Sequence, residues 1–203
     1  MFDSTATITR SIQAACADFG IEAPSDKDAS YVIGMGLAEA MQHLAPGLAR
    51  ERYAELGSRY RHHYSVKEHE IVLFEGALAM LQALREREHW LGVATGKSRR
   101  GLDEALNSVQ LKGIFHATRT SEETASKPDP QMLIELMSEL GVEPERTLMI
   151  GDTTHDLQLA ANAGTARIGV SYGAHESAAF GEFAPLHVAS SVSDLHDWLS
   201  RHA

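Results

Sequence analysis

Cys16 is the only cysteine among 203 residues, which excludes a disulfide framework, and no CxxC or Cys/His spacing offers a structural zinc site. Basic residues are in deficit, 18 Lys and Arg against 28 Asp and Glu. The resulting formal charge of −10 argues against a nucleic-acid-binding surface. Arg50-Glu51-Arg52 and Lys97-Ser98-Arg99-Arg100 are local basic patches only. No stretch approaches the about 20 consecutive apolar residues of a membrane-spanning helix. The first twenty residues also lack the basic start and apolar run of an export signal. Repeats and low-complexity tracts are missing too. These absences point to a soluble, cytoplasmic protein with neither nucleic acid nor membrane as partner, and leave its oligomeric state open. What remains is an ordinary globular composition, 43% hydrophobic, which excludes a disordered chain.

The pattern changes once along the chain. Residues 4–74 carry apolar positions at helical spacing, broken at Gly20–Pro24, Gly34–Gly36 and Pro46-Gly47, and predict a small helical domain. Residues 75–203 alternate strand and helix, the pattern of an α/β domain with a parallel sheet and crossover helices. Strands are expected at 90–95, 115–118, 147–150, 166–170 and 187–189. Helices are expected at 77–87, 99–107, 131–140, 154–163 and 193–200.

The chemistry-bearing residues fall in loops that follow strands. Thr147 to Ile150 reads as a short buried strand, Gly151 as its tight exit, and Asp152 and Asp156 stand four apart at the start of the next helix. Ligands bind at that edge of an open α/β sheet, and two hard oxygen donors there suit Mg²⁺. The same two acids equally suit a first helical turn as caps. Thr95-Gly96 ends another strand and offers one hydroxyl and free backbone N–H groups to a phosphate. Lys127 is stiffened by Pro128 and Pro130 ahead of a helix, where its ammonium can balance phosphate charge. Gly34-Met35-Gly36 lacks the third glycine of a dinucleotide loop. His62, His63 and His69 read as surface. His155 stands in the first helical turn, facing either the site or solvent, and Ser171 to His175 forms a loop after the next strand.

Taken in order, Thr95-Gly96, Lys127-Pro128 and Gly151-Asp152-x-x-x-Asp156 resemble motifs II, III and IV of the haloacid dehalogenase-like hydrolases, with a helical insert like that family's C1 cap and phosphoglycolate phosphatases as the nearest subgroup. The resemblance covers essentially the whole chain. It implies a Rossmann-like parallel sheet with a cap, and Mg²⁺-dependent phosphoryl transfer through an aspartyl-phosphate. Thr95 and Gly96 would bind the phosphoryl group and Lys127 would neutralise it. Asp152 would hold the metal. Asp156 would join the metal through water or orient Lys127. Gly34 to Leu37 would lie near the substrate.

The family's first motif, Asp-x-Asp-Gly-Thr, supplies nucleophile and general acid from the end of a central first strand. Met1 aligns with the residue just after it, and Asp3 lies past it, where Asp3 or Ser4 would cap the first cap helix. Without that strand its neighbours would stand roughly 10 Å apart, two strand spacings. The expectation is therefore an N-terminal extension that carries the first motif, with the 203 residues alone inactive. The leading reading is a phosphatase of a small phosphorylated metabolite such as 2-phosphoglycolate; pyrophosphatase and sugar-phosphate mutase chemistry share the same core motifs. The alternative is a non-catalytic protein that binds phosphate or Mg²⁺.

Overall fold

A computed structural model describes residues 1–108 and 111–203. A helical layer comes first: α1 (Thr5–Asp18), α2 (Asp26–Tyr31), α3 (Leu37–Leu44) and α4 (Tyr53–Lys67). Ile12, Cys16, Met41 and Leu56, each at most 2% exposed, bind these helices into one apolar cluster. Breaks in the helical pattern fall where glycine or proline stops a turn, as expected.

One expectation for this segment fails. The chain is not helical to Phe74: β1 (Phe2–Asp3) and β2 (Val72–Leu73) pair antiparallel, with Phe2 opposite Leu73 and Asp3 opposite Val72. The Phe74 N–H also donates to the Met1 carbonyl at 3.1 Å. This ribbon closes the helical layer at its base. Ser4 takes the cap position of α1, yet no side-chain bond accompanies it, and Asp3 is in the strand.

The second layer system is α/β. Its strands are β3 (Gly92–Thr95), β4 (Ala117–Thr120), β5 (Leu148–Gly151), β6 (Ala166–Val170) and β7 (His187–Ala189). Helices α5 (Ala77–Glu86), α6 (Arg99–Ser108), α7 (Gln131–Leu140), α8 (Thr154–Asn162) and α9 (Val192–His202) connect or cover them. Every strand pair here is parallel. β3 begins two residues later than its apolar run, and Trp90 is 58% exposed in front of it. The run at 115–118 slides to 117–120 because Gly92 to Thr95 pair with Ala117 to Thr120.

These strands form two sheets, β3-β4 and β5-β6-β7. Among the described residues β3 is bonded only to β4 and β5 only to β6, so each keeps one bare edge. Helices bridge the two sheets on both faces. Ala94 and Met149 pack on the apolar stripe of α7 (Met132, Leu133, Leu136, Met137), while Leu91, Leu148 and Ile150 pack against α5 and α9. The residues of β3 and β5 line a common cavity with both helical layers. Leu148, Met149 and Ile150 are only partly buried, although a parallel strand is ordinarily covered on both faces. Among the described residues no helix is long and apolar enough to cross a membrane.

Candidate active site

Local sequence places each polar group. β5 ends at Gly151, and Thr153 caps α8: its hydroxyl accepts from the Asp156 N–H while the Asp156 carboxylate accepts from the Thr153 N–H, a reciprocal capping box. The cap reading of Asp156 is thus realised, but with more than a cap. Asp156 Oδ2 accepts from Thr153 N at 3.1 Å and Thr153 Oγ1 at 2.8 Å, while Oδ1 accepts from Lys127 Nζ at 2.5 Å. Lys127 is 6% exposed and Asp156 4%. Burial works to raise the Asp156 pKa; the Lys127 charge and the bonds from Lys127 and Thr153 outweigh it and hold the carboxyl below its ordinary range.

Asp152 is less occupied. Its Oδ2 accepts from the Ala174 N–H at 2.9 Å and its carbonyl from the His175 N–H, and among the described residues nothing bonds to Oδ1. Gly173 makes this approach possible, since a Cβ there would lie 2.1 Å from the Asp152 Cβ. The loop from Ser171 to His175 therefore borders the site through its backbone.

Thr95 Oγ1 accepts from the Lys97 N–H at 3.2 Å, which bends the turn after β3. Ser121 Oγ fixes the same turn by donating to the Gly96 carbonyl at 2.8 Å. A Cβ at Gly96 would meet the Met35 carbonyl oxygen at 2.4 Å, so only glycine lets the helical layer close on this turn. Gly34 and Gly36 face the other side, where an added Cβ would lie 3.1 Å from Thr153 Oγ1 and 2.4 Å from Ser126 Oγ. Thr95, Gly96, Lys127, Asp152 and Asp156 all line one cavity of about 2090 Å³. That is about twice the upper size of a small-molecule pocket, because it runs on between β3 and β5. The Met1 amino group is enclosed near the two acids although the residue itself is 39% exposed. Burial lowers its pKa against the pull of Asp152 and Asp156.

Tyr31 and His175 were not singled out in the sequence, and His155 was left open. His155 is 7% exposed, and its Nε2 donates to the Tyr31 carbonyl at 2.8 Å; His175 Nε2 donates to the same oxygen at 3.0 Å. Its other nitrogen, Nδ1, accepts from the Thr154 N–H at 3.1 Å, which fixes a neutral tautomer. Burial, then the neighbouring His155, push its pKa down. The Tyr31 ring stacks on His175, with centroids 5.6 Å apart and planes 9° apart. The two imidazoles thus clamp the helical layer beside the acids. No sequence signal marks a backbone carbonyl as a shared acceptor. His63 instead pairs with Asp18 at 2.8 Å on the surface.

Could these groups hold a metal? Among the described residues no three His, Cys, Asp or Glu side chains gather closely enough to cage one. Mg²⁺, however, is commonly held by one or two carboxylates with waters and a substrate phosphate. The free Oδ1 of Asp152 fits that use, whereas both Asp156 oxygens are engaged.

Residues 1–170 match the model of the haloacid dehalogenase-like hydrolases. The chain is 32% identical over 197 residues to a 5'-nucleotidase of Pseudomonas aeruginosa, covering 96% of this chain and 89% of that protein. It is 30% identical over 173 residues to the pyrophosphatase PpaX of Halalkalibacterium halodurans, covering 84% and 79%. A phosphoglycolate phosphatase of Mannheimia succiniciproducens is 25% identical over 205 residues, with 96% and 92% covered. In fold, a hydrolase from Pseudomonas syringae superposes with a TM-score of 0.91 at 20% identity, covering 100% of this chain and 94% of that one. With residues 1–170 matched to that model and two relatives at 30% identity or more over most of their length, this chain belongs to the haloacid dehalogenase-like hydrolase family.

Proposed function

We propose that the chain is the phosphate-binding body of a Mg²⁺-dependent phosphatase for a small phosphorylated metabolite, phosphoglycolate phosphatase-like in type. The observation that carries the reading is the buried Lys127–Asp156 pair, which lines the same cavity as Asp152 and the Thr95-Gly96 turn. Relatives named phosphoglycolate phosphatase, pyrophosphatase and 5'-nucleotidase support the reaction class.

The Thr95 hydroxyl and Gly96 backbone orient the phosphoryl oxygens, and Lys127, held in place by Asp156, neutralises their charge. Asp152 would hold Mg²⁺, with Asp156 behind it through water. Bound there, the ion would supply further charge neutralisation. Asp152 is assigned to the ion and both Asp156 oxygens are engaged, so the attack on phosphorus is assigned to neither. We assign the nucleophile to a carboxylate on a strand seated in the slot between the bare edges of β3 and β5. Its oxygen bonds to phosphorus as the substrate's P–O bond breaks, the leaving oxygen takes a proton from a second acid on that strand, and water then releases phosphate.

Phosphate release tests this. The 203 residues alone are expected to show none. The same chain extended at Met1 by an aliphatic strand ending Asp-x-Asp-Gly-Thr is expected to show Mg²⁺-dependent turnover. Turnover by the unextended chain would refute the assignment of the nucleophile, and an inert extended chain that still binds phosphate would favour the non-catalytic reading.

A further inference from the structure

Lys97 has no part in the chemistry above, yet it is the most unusual cation in the cavity. The residue follows Thr95 by two positions, so the two Cα atoms are at most roughly 7 Å apart. Its side chain leaves the phosphate turn and reaches α4, where Nζ donates to the Tyr64 hydroxyl at 2.6 Å and lies 4.6 Å from the centre of that ring. Glu68 and Glu104 pull on the ammonium from a distance, but among the described residues no carboxylate pairs with it. Burial is the larger influence and lowers its pKa.

Tyr64 completes the arrangement. Its oxygen already accepts from Lys97, so its own proton is free for another acceptor, and burial raises its pKa so that the proton stays on. Two N–H bonds of Lys97 and the O–H of Tyr64 are therefore available on the helical side of the cavity. Arg61, one turn before Tyr64 on α4, adds a positive charge at the cavity wall. A partly buried ammonium without a counter-ion is costly, and an anion is what relieves it.

We infer that Lys97 and Tyr64 form a recognition site for a second anionic group, carried on the leaving-group side of the substrate. This deepens the phosphatase reading and rests on it. The site selects phosphorylated acids over phosphate esters of neutral alcohols. Lys97 is a specificity residue, and the phosphate itself stays with Thr95, Gly96 and Lys127.

Calorimetry on the 203-residue chain in Mg²⁺ tests it with two phosphonates that differ at one end, phosphonoacetate with a carboxylate and ethylphosphonate with a methyl. Phosphonoacetate is expected to bind roughly tenfold tighter or more, the ordinary worth of a hydrogen-bonded charge. Lys97→Met should abolish that margin and leave ethylphosphonate affinity unchanged, an outcome that general damage to the fold would not produce. Tyr64→Phe, which keeps the ring, should reduce the margin several-fold. Equal affinities in the unaltered chain, or an equal loss of both ligands in Lys97→Met, would overturn the inference while leaving the phosphate site intact. Failure of both ligands to bind the unaltered chain would overturn the phosphatase reading and this inference with it.

Discussion

Replacing Lys127 by methionine puts the buried pair at the centre of the site to a quantitative test. Asp156 would keep its two bonds from Thr153 and lose its cation in a place where it is 4% exposed. Removing one partner of a buried pair costs about 3–5 kcal/mol. For a chain of this size each kcal/mol moves the melting temperature by about 2–4 °C, so a fall of roughly 6–20 °C is expected. The pH dependence adds a second check. In the unaltered protein the Asp156 pKa is held low, so its contribution is complete above the ordinary carboxyl value of about 3.9 and is lost as pH falls through the folded value. In Lys127→Met only the two Thr153 bonds still oppose burial, and the carboxyl pKa rises. The penalty then fades on acidification, and the gap between the two proteins narrows. Lys127→Met/Asp156→Leu should be less destabilised than the sum of its single variants, because neither charge is left alone. Thermal melts followed by circular dichroism between pH 7.5 and 4 measure all three. A fall in Lys127→Met of under about 2 °C, or a gap that widens at low pH, would refute the reasoning.

Three further outcomes follow from the same geometry. His155→Ala removes one of two donors to the Tyr31 carbonyl and should cost about 1 kcal/mol in denaturant unfolding, with faster amide exchange around residues 30–36. Because the folded pKa of His175 is lowered, its contribution is complete above the unfolded value of about 6.5 and is lost as pH falls; His175→Asn should remove that part of the melting-temperature slope. Gly173→Ala sets a methyl 2.1 Å from the Asp152 Cβ and should cost about 1–3 kcal/mol. The same variant should weaken Mg²⁺ binding as followed by calorimetry.

Much of this was legible in the sequence because local composition decides it. The apolar runs before Thr95 and Gly151 have no other stable use than covered strands, and α7 occupies its expected span, with Gly141 at φ 65° ending it. What was missed depends on partners far away in the chain. Nothing near Val72 announces that it pairs with Asp3, and nothing near Tyr31 announces two histidines more than 120 residues on. Register is equally non-local: which two residues of the run at 115–118 fall outside β4 is set by β3. Among the candidate site residues, Thr95, Lys127 and Asp152 stand out by residue type and position after a strand, and the structure brings them to one cavity. The engagement of both Asp156 oxygens required the capping box to be seen.

The ribbon of β1 and β2 brings the two chain connections of the helical layer to neighbouring positions, one strand spacing of about 4.8 Å apart. Everything between Asp3 and Val72 thus starts and ends at one address beside the α/β body. Such a segment can be lengthened, shortened or exchanged without altering the path of the rest of the chain. On the function proposed above, phosphate chemistry and choice of substrate would be housed in parts of the molecule that can change independently of each other, the arrangement a lineage needs to acquire new substrates while keeping one reaction.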